Sequence, residues 1–376
     1  MIAGGEAHTC ARNSAGAVAC WGSNSNGQLG NGEGGTNAYK NTPVAVLALT
    51  NAVAIATGNY HTCAVLSTGE AKCWGKNDIG QLGDNSTTDR HTPVAVSALT
   101  DAVAIAAGAY HTCALLSTGG AKCWGFNNLG QLGNGEGGPN TDKTTPVTVL
   151  ALTDAVALAA GNSHTCALLG NGRVKCWGYN NYGQLGDGAT NDQSNNNTAR
   201  AVLGIDKAVA ITTGHSHTCA VLKNGEVKCW GATSFNYGNT PVAVLELTGA
   251  VAIAAGDGHT CAVLNTGGAK CWGVDSNGQL GDGGSNTNQN TPVDVLDLTG
   301  TVAIASGNYH TCALLSNGRV KCWGRNNGGQ LGDGTFNANQ DTPVDVLKFD
   351  ACFQTITAPF SSPSPGIHLK GCEITL

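Results

Sequence analysis

The sequence predicts an all-β chain built from seven repeats. Three observations carry this reading. A His-Thr-Cys triplet occurs seven times, a Cys-Trp-Gly triplet follows each one with its cysteine ten residues on, and the apolar runs are short and lack a helical period. The triplet histidines are His8, His61, His111, His164, His217, His259 and His310, at intervals of 53, 50, 53, 53, 42 and 51 residues. All seven tryptophans fall in the second triplet. Self-similarity at such a period marks a repeat architecture and overrides a domain count taken from chain length.

One unit shows how local chemistry dictates its elements. From Ala104 the chain reads A-I-A-A-G-A-Y-H-T-C-A-L-L-S-T-G-G-A-K-C-W-G. A loop then leads to Gly-Gln-Leu-Gly, a polar stretch, Thr145-Pro146-Val147 and V-L-A-L-T. Short Val, Ile, Leu and Ala runs punctuated by Gly, Pro, Asn and Ser read as strands and turns. Leu116 to Gly120 fits a three-residue hairpin loop with Gly119 in the left-handed position. Every repeat has a glycine at that place: Gly16, Gly69, Gly119, Gly172, Gly225, Gly267 and Gly318.

With Leu116 facing Gly120, Cys113 faces Cys123 at a non-hydrogen-bonded site, where cross-strand side chains come closest. A disulfide can span that separation. The expected pairs are Cys10–Cys20, Cys63–Cys73, Cys113–Cys123, Cys166–Cys176, Cys219–Cys229, Cys261–Cys271 and Cys312–Cys322. Zinc is a poor match, since its cysteines normally stand two to four residues apart. Reduced, buried thiols in a cytosolic protein are the plain alternative. Disulfides point instead to an oxidising compartment, so the protein is expected to be secreted, extracellular or periplasmic.

Composition bounds the function. The 376 residues carry 12% charged side chains and a formal net charge of -6, which argues against a nucleic-acid binder needing a basic patch. No apolar run approaches a membrane-spanning length. Met1-Ile2-Ala3-Gly4-Gly5 lacks the positive end and apolar centre of a signal peptide. A low charge count also argues against disorder.

The order Gly-x-x-His-Thr, strand, glycine turn, strand ending Trp-Gly, then Gly-Gln-Leu-Gly resembles the regulator of chromosome condensation repeat. The resemblance covers about residues 2–347. It implies a seven-bladed β-propeller of four-stranded antiparallel blades, one repeat per blade, whose closed ring hides most sheet edges. The repeats are unequal. The fifth lacks Gly-Gln-Leu-Gly and runs from Ala232-Thr233-Ser234-Phe235-Asn236-Tyr237-Gly238 into Thr240-Pro241. The fourth has Ala199-Arg200-Ala201-Val202 in place of Thr-Pro-Val, and the first starts only at Ile2. The chain therefore divides into a propeller, 1–347, and a tail, 348–376. The tail is expected to supply a ring-closing strand and a Pro-rich loop bridged by Cys352–Cys372. The same strand could complete a neighbouring copy and give a homo-oligomer.

Family members do unrelated things, so the fold alone assigns no function. A nuclear exchange-factor role does not suit an acidic chain with disulfide-spaced cysteines. Light sensing, which the resemblance ties to Trp and Arg before the repeat histidine, has no counterpart at Glu6-Ala7, Asn59-Tyr60, Ala109-Tyr110, Asn162-Ser163, His215-Ser216, Asp257-Gly258 and Asn308-Tyr309. A secreted enzyme inhibitor, similar to β-lactamase inhibitory protein II, fits the environment better.

The triplet histidines are expected to make structural hydrogen bonds rather than hold a metal. The tryptophans should pack between blades with one donor to satisfy. The Gly-Gln-Leu-Gly segments lack the helix and lysine of a phosphate loop and read as turns. Asp84, Asp187, Asp282 and Asp333 recur after them as turn residues, and Asp187-Gly188 and Asp282-Gly283-Gly284 fall short of a calcium loop. Gly-x-Ser-x-Gly as a nucleophile elbow and His-Glu-x-x-His do not occur. No catalytic, cofactor or metal residue is assigned, and a hydrolase ranks third. The loops 134–144 and 187–199 read as solvated turns, and Asn85-Ser86-Thr87 and Asn196-Asn197-Thr198 are weak glycosylation signals. Tyr60, Tyr110, Tyr309, His215 and Asp257 should occupy equivalent loops at one end of the propeller, where aromatics on a rigid scaffold favour recognition. The expected role is an extracellular or cell-surface module that binds a protein or glycan, within a larger assembly or filament. No cofactor, nucleic acid or membrane span is expected.

Overall fold

A computed structural model of the chain describes residues 1–190, 196–232, 236–284 and 286–347. These residues form seven four-stranded antiparallel sheets, each made of four consecutive strands in chain order. The first blade holds β1 (Ile2–Gly4), β2 (His8–Arg12), β3 (Val18–Gly22) and β4 (Lys40–Ala45). The second holds β5 (Ala52–Thr57), β6 (His61–Leu66), β7 (Ala71–Gly75) and β8 (Arg90–Ala95). Two of the three irregularities of the sequence show in these strands. β1 has 3 residues where β5 has 6, and the last strand of the fourth blade is only Arg200–Ala201.

The first strand of each blade lines a central channel, with Ile2, Ile55, Ala106, Leu158, Ile211, Ile253 and Ile304 among the lining residues. The hairpin turns are as the glycines demand: Gly119 has φ +80° and its nitrogen donates to the Leu116 carbonyl, a conformation costly for any residue with a Cβ. Cys113 lies opposite Cys123, and the same register recurs in every blade. All seven cross-strand disulfides form, with Cα atoms 4.0–4.1 Å apart. That is consistent with an oxidising environment.

The core sits between blades rather than within one sheet. In one seam, Cys63, Cys73 and Leu82 of the second blade pack against Ala114 and Trp124 of the third. The closing seam is built alike, with Cys312, Val320 and Cys322 of the seventh blade against Ala11 and Trp21 of the first. All seven tryptophans are buried to 1% exposure or less. Strand alternation explains the division of labour: the cysteine staples its own blade and the adjacent Trp faces the preceding one. Removing one such indole should cost about 3–5 kcal/mol. The tail 348–376, with Cys352–Cys372, lies outside the described residues. The first blade has its four strands without it.

Thiol titration of the denatured, unreduced protein tests the staples. None of the cysteines in the seven pairs should react, and each pair should contribute about 2–3 kcal/mol, seen as a fall in the urea midpoint when the two cysteines are replaced by alanine.

Candidate functional site

Two arrangements account for the polar residues singled out in the sequence. One is a buried ring through all seven seams, and the other is the mouth of the channel.

In the ring, each triplet histidine donates or accepts at Nε2 with the threonine of the next blade. The contacts are His8–Thr62 3.0 Å, His61–Thr112 2.9 Å, His111–Thr165 2.8 Å and His164–Thr218 3.0 Å. His217–Thr260 at 2.9 Å, His259–Thr311 at 2.9 Å and His310–Thr9 at 2.8 Å complete it, the last across the closing seam. Six of these threonines donate onward to a glutamine carbonyl of Gly-Gln-Leu-Gly, as Thr62 does to Gln28 at 2.8 Å and Thr9 to Gln330 at 2.9 Å. A threonine whose proton is so engaged must accept from the imidazole, which places the ring proton on Nε2. In those six rings Nδ1 is then a bare lone pair, and in all seven it is buried without a partner. Glycine precedes the ring because space demands it: a Cβ on Gly58 would lie 2.5 Å from His61 Nδ1. Burial pushes the imidazoles down to about 3 for His8, His111, His164 and His259, and to about 4 for His61, His217 and His310.

The same glutamine carbonyls accept the indole Nε1–H of the next blade, for example Trp74 to Gln28 and Trp124 to Gln81, both at 2.9 Å. The glutamine side chain folds back to accept the backbone N–H two residues earlier, as Gln81 does from Ile79 at 3.0 Å. The tight turn thus aims its carbonyl into the seam. The fifth repeat lacks this turn, and Trp272 donates to the Tyr237 hydroxyl at 2.7 Å instead. Sequence reasoning missed Tyr237, although a tyrosine in a repeat that had lost its indole acceptor was a usable signal.

At the mouth, the loops before the histidines converge. Asn59, Ala109, Asn162, His215, Asp257 and Asn308 surround the opening of a channel of about 350 Å³. Backbone bonds tie these loops together around the ring, including Asp257 N to Asn308 O and Asn308 N to Gly5 O, both 3.1 Å. Of the five residues expected at one end, His215 and Asp257 line the channel, and Tyr60, Tyr110 and Tyr309 directly follow the lining residues Asn59, Ala109 and Asn308. Tyr60 and Tyr110 have ring centroids 6.3 Å apart, with the Lys76 ammonium 5.4 Å from the first and 5.8 Å from the second. The Arg325 guanidinium stands 5.5 Å from the Tyr309 ring. Such contacts hold the rings in place. His215 Nδ1 and Asp257 Oδ1 meet at 2.8 Å between the fifth and sixth blades, and Asn162 approaches the same nitrogen at 3.0 Å.

Electrostatics separate these groups. The Asp257 hydrogen bond raises the His215 imidazole above its ordinary value against partial burial. Burial pushes the Asp257 carboxyl up, but the His215 hydrogen bond and charge outweigh it and leave it low. Burial, then the Glu6 carboxylate, raises the Tyr60 phenol, and burial with Asp257 raises Tyr309. Glu6 shares the repeat position of His215 and Asp257 and could have been marked with them, whereas Lys76 and Arg325 follow the Trp-Gly strand, where the pattern gives no sign of a mouth residue. Among the described residues, no group of three or more His, Cys, Asp or Glu side chains is placed to hold a metal ion. Asn196 of the second glycosylation triplet is buried, whereas Asn85 is exposed.

The regulator of chromosome condensation (RCC1) repeat matches residues 52–81, 102–131, 155–184, 208–238, 250–279 and 301–330. In a second frame, shifted along the repeat, it matches 15–65, 69–115, 122–168, 171–221, 270–314 and 317–358. The chain belongs to the RCC1 repeat family. It is 30% identical over 369 residues to the ultraviolet-B receptor UVR8 of Arabidopsis thaliana, covering 96% of this chain and 73% of that protein. It is 31% identical to the probable E3 ubiquitin-protein ligase HERC4 of Homo sapiens, over 78% of this chain but only 19% of that protein. Among solved structures, yeast RCC1 (Prp20) bound to Kap60 superposes with a TM-score of 0.78 at 21% identity, over 90% of this chain and 85% of that one. The ectodomain of the Physcomitrella patens receptor kinase CR4 gives 0.53 at 21% identity, over 86% and 73%. Propellers of this family are protein-binding modules.

Three measurements test the ring and the mouth together. As pH falls, the unfolded chain takes up protons near 6.5 that the buried histidines refuse, so stability should be full above about 6.5 and fall as pH drops toward 3–4. In an NMR titration of the folded protein, His215 should titrate above 6.5 while the seven triplet histidines stay neutral through pH 5. Thr112→Val, which keeps the side-chain shape, should cost about 1–3 kcal/mol in urea unfolding by leaving His61 Nε2–H unpaired.

Proposed function

We propose that this propeller is a secreted or cell-surface protein-binding module whose recognition face is the mouth end of the channel. The observation that carries the reading is the gathering of Tyr60, Tyr110 and Tyr309, with Lys76 and Arg325 stacked on them, beside the His215–Asp257 pair. Partly buried aromatics held rigidly on a closed scaffold lose little conformational entropy on binding, and Tyr and Arg are the residues that most often anchor interfaces. The support for an extracellular setting is the set of seven disulfides, which would not persist in a reducing cytosol. The CR4 ectodomain is a protein of this fold on the outside of a plant cell. The reading is binding rather than catalysis, because the His215 and Asp257 side chains at the mouth are paired with each other.

A second reading rests on the same face: a secreted inhibitor that covers the active site of an enzyme. Affinity capture from an extracellular or periplasmic fraction, followed by activity assay of what is retained, separates the two. Stoichiometric capture of one inactivated enzyme would replace the first reading with inhibition. In either case the Tyr60→Ser, Tyr110→Ser double variant should fold like the parent and bind the captured partner at least about tenfold more weakly, given anchors worth more than about 1 kcal/mol each. Equal binding by parent and variant would move the interface off the mouth.

A further inference from the structure

The six repeats with a Gly-Gln-Leu-Gly turn begin that loop with Asn24, Asn77, Asn127, Asn180, Asp275 and Asn326. The five asparagines do one job. Each Oδ1 accepts the N–H of the turn leucine, as Asn77 does from Leu82 at 2.9 Å and Asn326 from Leu331 at 3.1 Å. Each Nδ2 then donates to the side chain seven residues on and to the carbonyl nine residues on. For Asn326 these are Asp333 Oδ1 at 3.1 Å and the Thr335 carbonyl at 3.4 Å, and for Asn180 they are Asp187 Oδ1 and the Ala189 carbonyl, both at 3.2 Å. The amide hydrogens thus fill a slot walled by oxygen acceptors.

In the sixth blade the same slot has lost its donor. Asp275 Oδ1 still accepts from Leu280 N at 2.9 Å. The turn below is also retained, with Gly284 N donating to Asp282 Oδ1 at 2.9 Å, as Thr335 N does to Asp333. What changes is the second side-chain atom. Asp275 is 1% exposed, and where the other repeats carry an amide nitrogen it carries Oδ2, a carboxylate oxygen with no hydrogen to donate. By the register of the other five repeats, three kinds of oxygen face this slot: Asp275 Oδ2, the Asp282 carboxylate and the Gly284 carbonyl, and the Asp282 charge acts on Asp275. Holding a carboxylate beside other acceptors is costly unless a positive charge joins it.

We propose that this slot binds a hard cation of the calcium class, held by Asp275, Asp282 and the Gly284 carbonyl, with water completing the shell. The chemistry is oxygen-only, which favours calcium over softer metals. Asp282 is half-buried and Gly284 exposed, so the ion has an entry path and a supply of water. Two carboxylates, one carbonyl and water suit a weak site, on the order of 10⁻⁴–10⁻³ M, as in extracellular modules. Burial, with the charges of Asp282 and Asp341 and against the Leu280 N–H, pushes the Asp275 carboxyl up to about 6, so a proton is the competing occupant below that pH. The proposal is independent of the binding face at the channel mouth.

The experiment compares the whole chain with its Asp275→Asn variant, which restores the amide of the other five repeats. At pH 7.5, calcium chloride against EDTA should raise the urea midpoint of the parent and leave that of the variant unchanged. Terbium luminescence sensitised by the protein should report one calcium-displaceable ion per chain, weakened at least about tenfold in the variant. The variant in EDTA should be at least as stable as the parent with calcium, so loss of the response cannot be mistaken for misfolding. An equal calcium response in both proteins would overturn the assignment. So would a parent that ignores calcium but gains stability on acidification through pH 6 while the variant does not, which would make the slot a proton site only.

Discussion

Six of the seven seams of this ring are held by a buried chain of polar groups: an imidazole, a threonine hydroxyl, a glutamine carbonyl and an indole N–H. Other features of the repeat follow from making that chain work without water. The glutamine must sit in a glycine-flanked turn for its carbonyl to reach the next blade. The residue three before the histidine must be glycine, because His61 and its counterparts leave no room for a Cβ. The histidine must be neutral, because protonation would place an N–H on Nδ1 where no acceptor exists. Buried polar groups in a low-dielectric seam are costly unless all partners are present, so the chain specifies neighbour and register as well as adding stability.

The fifth repeat shows how strict that requirement is. With its turn gone, Thr260 keeps the histidine contact and Trp272 finds a tyrosine hydroxyl in place of the carbonyl. The indole donor is satisfied by a different element rather than left bare. The sixth repeat makes the opposite change a short distance away, exchanging an amide for a carboxyl at Asp275. A carboxylate has no hydrogen to donate and needs a proton or a cation in its place, so under the proposed cation site this one position turns a silent turn into a place where solution conditions act.

Much of the fold was legible in the chain. Cysteine spacing, a glycine at each hairpin and seven Trp-Gly triplets fixed strand register and blade number because a two-residue period leaves no freedom once the turn is set. The structural roles of histidine and tryptophan followed from their repetition. The candidate site was legible only in part: Tyr60, Tyr110, Tyr309, His215 and Asp257 could be placed at one end from their position before the histidine, but not paired. That His215 meets Asp257, or that Lys76 lies over two tyrosines from neighbouring blades, depends on contacts between residues tens of positions apart.

The boundary between the two kinds of knowledge is physical. Within a blade, strands are joined by short turns, so sequence distance and spatial distance agree and local rules suffice. Between blades, the contacts that matter join residues about fifty positions apart, and at the closing seam His310 meets Thr9. The sequence by itself determined an all-β, seven-unit, disulfide-stapled chain. Only the tertiary structure decided that the glutamine carbonyl is the hub of each seam, that Tyr237 replaces it once, and which mouth residues touch, because closing a ring brings together groups that no local spacing relates.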